Sequence, residues 1–290
     1  MTLPLAGQNA IITGASRSLG REVARAMWLQ GASLLLVARS GAALGALQRE
    51  LVAQKKDPAQ TAHTLAVDLA SEQAASLIAE SARAAWRDLH ILVNNAAVLG
   101  PVGKAWDNDW EEWTAAVKVN LLAPVALCRV CVPWMLAQGR GAIVNLSGGG
   151  AASPRANFSA YATAKSALVR FSETLALELV GTDVRVNCVA PGPLPTDMLQ
   201  ATLRAGPDTC GAKEYAQALR TLETPGTALA RAAALCVFLA SPAGAGITGK
   251  LISAVWDPWE TLTEHLDDLS GSDIYTLRRL VPADRGKEWG

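Results

Sequence analysis

Cysteine and histidine are scarce in this sequence, which has five of the first and three of the second in 290 residues. An odd, scattered set of cysteines does not provide the disulfide framework of small secreted domains. Only Cys128 and Cys131 have the spacing of a redox pair, and because they lie in an apolar helical run we expect them in the core. No histidine has a cysteine or histidine neighbour at ligand spacing, so we expect no zinc site.

An excess of charge of one sign is also missing. The 26 Lys and Arg residues balance the 26 Asp and Glu residues, so no basic face is implied and we expect no nucleic-acid partner. No run reaches the ~20 consecutive apolar residues of a membrane-spanning helix, and the N-terminus has no secretory pattern. We therefore expect a cytoplasmic protein with no membrane partner.

Apolar residues are abundant, at 50% of the chain, and their runs alternate between strand and helix patterns. This alternation predicts an α/β fold, a doubly wound seven-stranded parallel sheet in a single domain. The predicted strands are residues 9–13, 33–38, 64–67, 91–94, 142–146, 184–189 and 251–253. The predicted helices are residues 19–31, 42–54, 71–86, 109–138, 160–180 and 227–240.

A glycine-containing loop, TGASRSLG at residues 13–20, follows the first predicted strand. Backbone N–H groups and a helix dipole at such a place form a site for a pyrophosphate, although two glycines alone also suit a simple turn. Further polar motifs follow the ends of later strands, where ligands bind in this fold. They are Asp68-Leu69, Asn94 to Ala97, Asn120, Ser147, Tyr161 with Lys165, and Pro191-Gly192.

In this order the motifs resemble the classical short-chain dehydrogenase/reductase family over about residues 5–253. The family pattern T-G-x-x-x-G-x-G has Ser18 at its middle glycine, N-N-A-G ends in Ala97, and Y-x-x-x-K is intact. The resemblance implies a Rossmann-type sheet and a nicotinamide dinucleotide. The expected cofactor-binding residues are Gly14, Ser16, Arg17, Ser18, Leu19, Gly20, Arg39, Asp68, Leu69, Asn95, Ala96, Tyr161, Lys165, Pro191, Gly192 and Thr196.

Tyr161 and Lys165 are four residues apart and share a helix face, so the ammonium is expected to lower the phenol pKa from about 10 toward neutrality. The resemblance makes Tyr161 the general acid of ketone reduction and Lys165 its electrostatic partner and ribose ligand. It makes Asn120 the anchor of a water chain that reaches Lys165. We expect all three to be catalytic.

The family's substrate-binding serine stands thirteen residues before the tyrosine, where this chain has Gly148. Ser147 is the candidate replacement, because three consecutive glycines allow a one-residue shift that brings its hydroxyl within hydrogen-bond reach of Tyr161. A Gly148→Ser substitution is then expected to restore the family arrangement. The alternatives are that Ser147 only ends a strand while Ser153, Ser159 or a backbone N–H supplies the donor.

Cofactor choice depends on the end of the second strand, where an acid binds the ribose hydroxyl of NAD and an arginine meets the extra phosphate of NADP. This chain has Arg39 there and no acid, and Arg17 is a second guanidinium for the same phosphate. A solvated Arg39 is the alternative. We expect NADP(H), with Asp68 and Leu69 flanking adenine by the same resemblance.

Two segments, residues 193–226 and 255–290, fall outside the alternation. The first is polar and is predicted to be a lid or binding loop. We assign residues 1–254 to a dinucleotide-binding and catalytic domain and residues 255–290 to a C-terminal extension. The tryptophan-containing extension is expected on the substrate cleft, on a neighbouring subunit or as a surface cap.

The predicted function is an NADP(H)-dependent oxidoreductase that interconverts a small carbonyl compound and its alcohol. Predicted helices 109–138 and 160–180 carry apolar residues on more than one face, which together with the resemblance indicates a homodimer or homotetramer. The alternative function is a cofactor-binding homologue with attenuated catalysis and a regulatory or scaffold role.

Overall fold

A computed structural model describes residues 3–55, 57–223 and 227–289. The strands within these ranges are β1 Asn9–Thr13, β2 Ser33–Ala38, β3 Ala62–Ala66, β4 Ile91–Asn94, β5 Gly141–Leu146, β6 Val184–Ala190 and β7 Leu251–Ser253. They form one sheet in the order β3-β2-β1-β4-β5-β6-β7, and every neighbouring pair is parallel. The strand order reverses between β1 and β4, which creates a crevice at the carboxyl ends of these strands.

Helices cover both faces of this sheet. Within the described ranges they are α1 Ser18–Leu29, α2 Gly41–Ala53, α3 Ala74–Ala85, α4 Trp110–Val117, α5 Ala123–Ala137, α6 Ser159–Glu178, α7 Asp197–Cys210, α8 Ala212–Glu223, α9 Thr227–Ala240 and α10 Leu266–Leu269. The predicted doubly wound parallel sheet is confirmed.

Alternating residues of the strands separate the core into two clusters. On β2, Leu34 and Leu36 pack in a first cluster with α1 and α9, whereas Leu35 and Val37 pack in a second cluster with α3 and α5. Side chains of a strand alternate between faces, so a strand covered on both faces is a continuous apolar run. That is why the run at residues 33–38 identified β2 from the sequence alone.

Most other predicted elements differ from the structure by one to three residues at an end, and three regions show the clearest differences. The third strand begins at Ala62, two residues earlier than predicted. The prediction of a loop at residues 193–226 is wrong for most of its length, because α7 and α8 fill it; residues 224–226 lie outside the described ranges. Gly206, with φ of +75°, and the following proline break the helical pattern and concealed α7 from sequence reasoning. The predicted helix 109–138 contains a π-helical turn at Lys118–Leu122.

The helical stretch Trp110–Ala137 has 28 residues and contains an 18-residue window with a mean hydropathy of 1.7, enough by length and composition to cross a membrane. Core helices of soluble proteins meet the same criteria, and 44% of its apolar window is buried inside this fold. Leu127, Cys128, Cys131 and Met135 of this stretch pack in the second core cluster. The prediction that the two cysteines belong to the core is confirmed.

The C-terminal segment lies against β7 and α6 of its own chain. The Lys250 ammonium donates to the carbonyls of Ser272 and Ile274 at 2.9 Å each, and Leu251 N donates to Tyr275 O at 2.8 Å. Trp259 joins the first core cluster, whereas Trp256 is exposed. The segment therefore covers the edge of the sheet, where unpaired backbone groups of β7 would otherwise face water.

Candidate active site

The loop between β1 and α1 is shaped by two glycines that tolerate no side chain. Gly14 has φ of +66°, and a Cβ there would lie 2.8 Å from the Cα of Ala96. A Cβ on Gly20 would overlap the carbonyl oxygen of Gly14. Ser18 adopts φ of +46°, the left-handed region that favours glycine, at a cost of roughly 1–2 kcal/mol. The local backbone thus keeps the geometry of a glycine loop despite the substitution.

Thr13 connects this loop to the end of β4. Its hydroxyl accepts hydrogen bonds from Asn95 N at 3.0 Å and Ala96 N at 3.1 Å, and donates to Val93 O at 3.3 Å. The Asn95 side-chain amide donates back to Thr13 O at 2.9 Å. Thr13 is not among the predicted site residues, although its place in the T-G motif was a signal for it.

Tyr161 and Lys165 lie one helical turn apart on α6, with the ammonium 5.8 Å from the centre of the phenol ring. Tyr161 is 8% exposed and Lys165 is 1% exposed. Burial raises the pKa of Tyr161 to about 12, partly offset by the positive charge of Arg155. The expectation of a phenol pKa near neutrality is therefore wrong for this structure, because loss of hydration outweighs the favourable charge of Arg155.

The Lys165 ammonium donates one hydrogen bond, to Leu146 O at 2.6 Å, and burial lowers its pKa to about 8. Asn120, fully buried in the π-helical turn, uses its side chain on another partner. Its amide donates to Val98 O at 2.8 Å, and its carbonyl accepts from Val98 N at 2.9 Å. The Asn120 side chain therefore holds the chain after β4 in place, and its role as the anchor of a water chain to Lys165 stays a prediction.

Ser147 does not form the predicted hydrogen bond with Tyr161. Its backbone N–H continues the sheet by donating to Val189 O at 2.8 Å, and its hydroxyl is buried with no hydrogen-bond partner among the described residues. A Cβ on Gly148 would overlap the Tyr161 hydroxyl, so Gly148→Ser restores the family arrangement only if the phenol or the loop moves. The phenol occupies the space that a serine side chain needs.

The two alternative serines are placed away from this role. Ser159, the first residue of α6, accepts a hydrogen bond from the indole N–H of Trp113 at 3.1 Å. Ser153 is exposed in the loop before α6. Of the three serines considered, Ser147 is the one that keeps a buried, unpaired hydroxyl.

The two arginines that are predicted to bind the NADP phosphate follow the first two strands. Arg39 is exposed after β2 and makes no ion pair within the described part of the chain. Arg17 forms an ion pair with Asp197 at the start of α7, and its role as a second guanidinium for the NADP phosphate stays a prediction. The opposite charge of Asp197 competes for this guanidinium.

The remaining expected cofactor residues also lie at this edge of the sheet. Asp68 and Leu69 follow β3, and the Asp68 carboxylate accepts from Ala70 N at 3.0 Å. Gly192 follows β6 with φ of +81°, and a Cβ there would lie 2.6 Å from Val255 Cγ2. Pro191 precedes it, Thr196 stands directly before α7, and Ser16 and Leu19 belong to the loop and first turn after β1.

The chain is similar to known proteins. Residues 8–206 match the protein family described as short chain dehydrogenase. The chain belongs to the short-chain dehydrogenase family. It is 34% identical to an uncharacterized oxidoreductase of Mycobacterium tuberculosis over 84% of this chain and 89% of that protein. It is 32% identical to a galactitol 2-dehydrogenase (L-tagatose-forming) of Cereibacter sphaeroides, over 86% and 94% of the two chains.

Among solved structures, the L-sorbose reductase of Gluconobacter frateurii, complexed with NADPH and L-sorbose, is 30% identical. The TM-score is 0.75, with coverage of 87% of this chain and 97% of that chain. These likenesses extend beyond the family match into the last strand.

Short-chain dehydrogenases bind a nicotinamide cofactor, and the residues of this chain fit one. The absence of side chains at Gly14 and Gly20 lets the loop pack closely against Asn95 and Ala96. The loop leads directly into the N-terminus of α1, whose free backbone N–H groups are donors of the kind that a phosphate needs. The Lys165 ammonium has three donors and, among the described residues, one acceptor. Ribose hydroxyls are acceptors of the kind that its other donors need.

Sequence reasoning missed a buried polar chain beneath the site. Asn94 Nδ2 donates to Asn145 Oδ1 at 2.8 Å, Asn145 Nδ2 donates to Ser172 Oγ at 2.8 Å, and Ser172 Oγ donates to Leu168 O at 2.7 Å. These bonds join β4 and β5 to α6, the helix that carries Tyr161. Asparagine within an apolar strand was the available signal, because a buried amide requires partners.

Arg155, which precedes α6, is a further residue near the site that no sequence motif indicated. Its Nε and Nη2 donate to the Glu214 carboxylate of α8 at 2.9 and 2.8 Å. Tyr161 packs nearby with Leu99, Phe158 and Cys210, and side chains of α7 and α8 cover this group. We call these four residues the Tyr161 cluster. The pair thus stands beside an apolar surface that includes the candidate catalytic group.

Proposed function

We propose that this short-chain dehydrogenase is an NADP(H)-dependent oxidoreductase that interconverts a small carbonyl compound and its alcohol. The observation that carries the proposal is a buried tyrosine and lysine one helical turn apart on α6. The lysine donates to Leu146 O at the carboxyl end of β5, the edge of the sheet at which the glycine loop also lies. When bound, the cofactor supplies or accepts the hydride. The residues of the chain supply the proton and the binding site.

In the direction of reduction, Tyr161 donates its phenol proton to the carbonyl oxygen as hydride reaches the carbonyl carbon. Burial raises the Tyr161 pKa to about 12, which keeps the phenol protonated at neutral pH, as a donor must be. Lys165 binds ribose hydroxyls and, while protonated, stabilises the phenolate that forms. Ser147 is the candidate to hydrogen-bond the substrate oxygen, since its buried hydroxyl has no other partner among the described residues.

Replacement of Tyr161 by phenylalanine tests this assignment. Tyr161→Phe is expected to lose nearly all turnover of a ketone panel with NADPH while it still binds the cofactor, because only the proton donor is removed. Turnover by absorbance and cofactor affinity by fluorescence titration are measured on the same preparations. Retained turnover would assign proton donation to another group.

The preference for NADP(H) rests on Arg39, which stands at the end of β2 without a competing carboxylate in the described structure. NADPH is expected to bind at least about tenfold more tightly than NADH. Arg39→Asp should remove this preference, whereas Arg17→Met, at a guanidinium already paired with Asp197, should change it less. Equal affinities of the unmodified protein for the two cofactors would contradict the assignment.

The relatives support a carbonyl–alcohol pair as substrate, since one is named for the oxidation of galactitol and one was solved with L-sorbose. The second candidate function, a cofactor-binding protein with attenuated catalysis, is favoured by Gly148, which leaves the substrate oxygen without its usual serine. Turnover above the level of Tyr161→Phe would decide for the enzyme.

We further propose a cytoplasmic homodimer or homotetramer. All five cysteines are buried and free, as reducing conditions allow. Leucine side chains on α5 and α6 remain exposed, including Leu177 at 75%, which supports a subunit interface.

A further inference from the structure

Arg155 and Glu214 form a partly shielded ion pair beside the Tyr161 cluster. Arg155 lies between the glycine-rich segment 148–150 and α6, and Glu214 lies on α8. Their side chains are 21% and 29% exposed. The guanidinium also lies 3.8 Å from the centre of the Phe158 ring, one member of the cluster. The chain therefore places a cation at the rim of an otherwise apolar surface.

The surroundings explain why this cation needs a negative partner. The Tyr161 cluster is surrounded by further apolar side chains, which are Ala97, Val102, Met198, Ala201, Ala205 and Tyr215. A charge that loses water at such a surface is costly unless an opposite charge compensates it. Glu214 supplies that charge from within the chain.

Glu214 satisfies only part of the guanidinium. Arg155 Nε and Nη2 both donate to one carboxylate oxygen, Oε2, and within the described ranges Nη1 donates to none. In a bidentate pair, the guanidinium donates to both oxygens of the carboxylate, and this arrangement is stronger. Nη1 lies 3.6 Å from the place where a Cβ on Gly149 would stand, so the missing side chain leaves this side of the guanidinium accessible.

The guanidinium is close to the reacting group. Gly148 faces the Tyr161 hydroxyl and the next residue, Gly149, faces Arg155 Nη1. The positive charge of Arg155 also opposes the rise in the Tyr161 pKa that burial causes. A ligand of a few carbon atoms can therefore contact both groups at once.

We propose that Arg155 binds a carboxylate of the substrate, and that Glu214 is the internal counterion which that carboxylate replaces. The substrate class is then an oxo acid and the corresponding hydroxy acid, with the carbonyl at Tyr161 and the acid at Arg155. This inference rests on the proposed function. Arg155 is a specificity residue in it, and the proton and hydride transfers are unchanged.

The test compares acids with their uncharged methyl esters. Levulinate and phenylglyoxylate, each against its methyl ester, are titrated into the NADP⁺-loaded protein by calorimetry. Each acid is expected to bind at least about tenfold more tightly than its ester. Arg155→Met should abolish the difference by weakening the acid alone, Arg155→Lys should keep part of it, and Glu214→Gln should tighten the acid several-fold.

Arg231 provides the matched control. It also pairs with a carboxylate, Glu260 at 2.7 Å, and lies over an aromatic ring, Trp259 at 5.4 Å, but between α9 and the C-terminal segment. Arg231→Met should leave the difference between acid and ester unchanged.

Equal affinity of acid and ester, no measurable binding of either acid, or a preference that survives Arg155→Met would overturn the inference. The proposed function is judged separately, by ketone reduction with NADPH that Tyr161→Phe removes. A protein that binds the acids through Arg155 but reduces no ketone would keep the inference on recognition and lose the proposed function.

Discussion

At the scale of single residues, Ser147 and Gly148 distinguish this chain from the family pattern. The Ser147 hydroxyl is buried and unpaired among the described residues, so it is available to a substrate oxygen. We expect Ser147→Ala to lower kcat/KM by about 10²-fold with little change in cofactor affinity. Stability should not fall, because no intramolecular hydrogen bond is lost. Steady-state kinetics and urea unfolding measure the two effects, and unimpaired kinetics would remove Ser147 from the mechanism.

Gly148→Ser is the complementary substitution. Its Cβ would overlap the Tyr161 hydroxyl, so we expect a displaced phenol and reduced turnover. A variant more active than the unmodified protein would show that the loop and the phenol relax together.

Lys165 makes a pH-dependent contribution to stability. Burial lowers its pKa to about 8 from an ordinary 10.5, so between these pH values the unfolded chain binds more protons than the folded one. The free energy of unfolding therefore gains up to about 3 kcal/mol from this group as pH rises through that window. Buried thiols oppose the trend above pH ~9, because burial raises the pKa of Cys188 and Cys236 to about 12.

The contribution of Lys165 is measured as the difference in the free energy of unfolding between the unmodified protein and Lys165→Met, because both proteins contain these thiols. Urea unfolding at pH about 8 and about 9.5 should show this difference shift in favour of the unmodified protein at the higher pH. A difference independent of pH would mean that folding does not lower the pKa of Lys165.

At the scale of elements, α6 is attached to the sheet through the polar chain Asn94, Asn145 and Ser172. Ser172→Ala leaves the Asn145 amide without its acceptor, and we expect a loss of about 1–3 kcal/mol in the free energy of unfolding. Thr174→Ala is the control, because Thr174 lies on the same helix, is exposed, and also donates to the carbonyl four residues before it. This substitution should change the free energy of unfolding by less than about 0.5 kcal/mol. Equal effects in urea unfolding would refute the role of the buried chain.

Element boundaries show how far local patterns reach. The strands β1, β2, β4 and β7 have the predicted bounds, because buried parallel strands are short apolar runs with sharp ends. The helices α7 and α8 were missed, because Gly206, Pro207 and Gly211 suggested a loop. Packing of α7 side chains on the Tyr161 cluster overrides that local preference.

At the scale of the whole molecule, the exposed apolar side chains near the ends of α5 and α6 predict self-association. They are Leu122, Leu136, Leu177 and Val180, with exposures of 53%, 42%, 75% and 75%. Light scattering at micromolar concentration is expected to give two or four times the 30.3 kDa of the chain. Leu177→Gln with Val180→Gln should lower that mass if the α6 end is buried between subunits. A monomeric unmodified protein would contradict the assembly.

The division at residue 254 stays a prediction, but the extension is bound to the rest of the chain. Leu277 N donates to the buried Glu173 carboxylate of α6 at 2.6 Å, and Trp259 lies in the first core cluster. The sequence indicated an unusual aromatic segment without showing its position. The Leu277–Glu173 bond joins residues 104 positions apart in the chain, so no local pattern encodes it.

The sequence by itself determined the parallel sheet, the family of the chain and which residues follow the carboxyl ends of the strands. Glycines at forced backbone angles, apolar strand runs and Y-x-x-x-K are local signals, because each reflects sterics or spacing within a few residues. Only the tertiary structure decided that Arg17 pairs with Asp197, that the Ser147 hydroxyl stays unpaired, and that burial raises the Tyr161 pKa instead of Lys165 lowering it. Ion pairing and hydration depend on which distant segments pack around a group, and that information is not contained in any single motif.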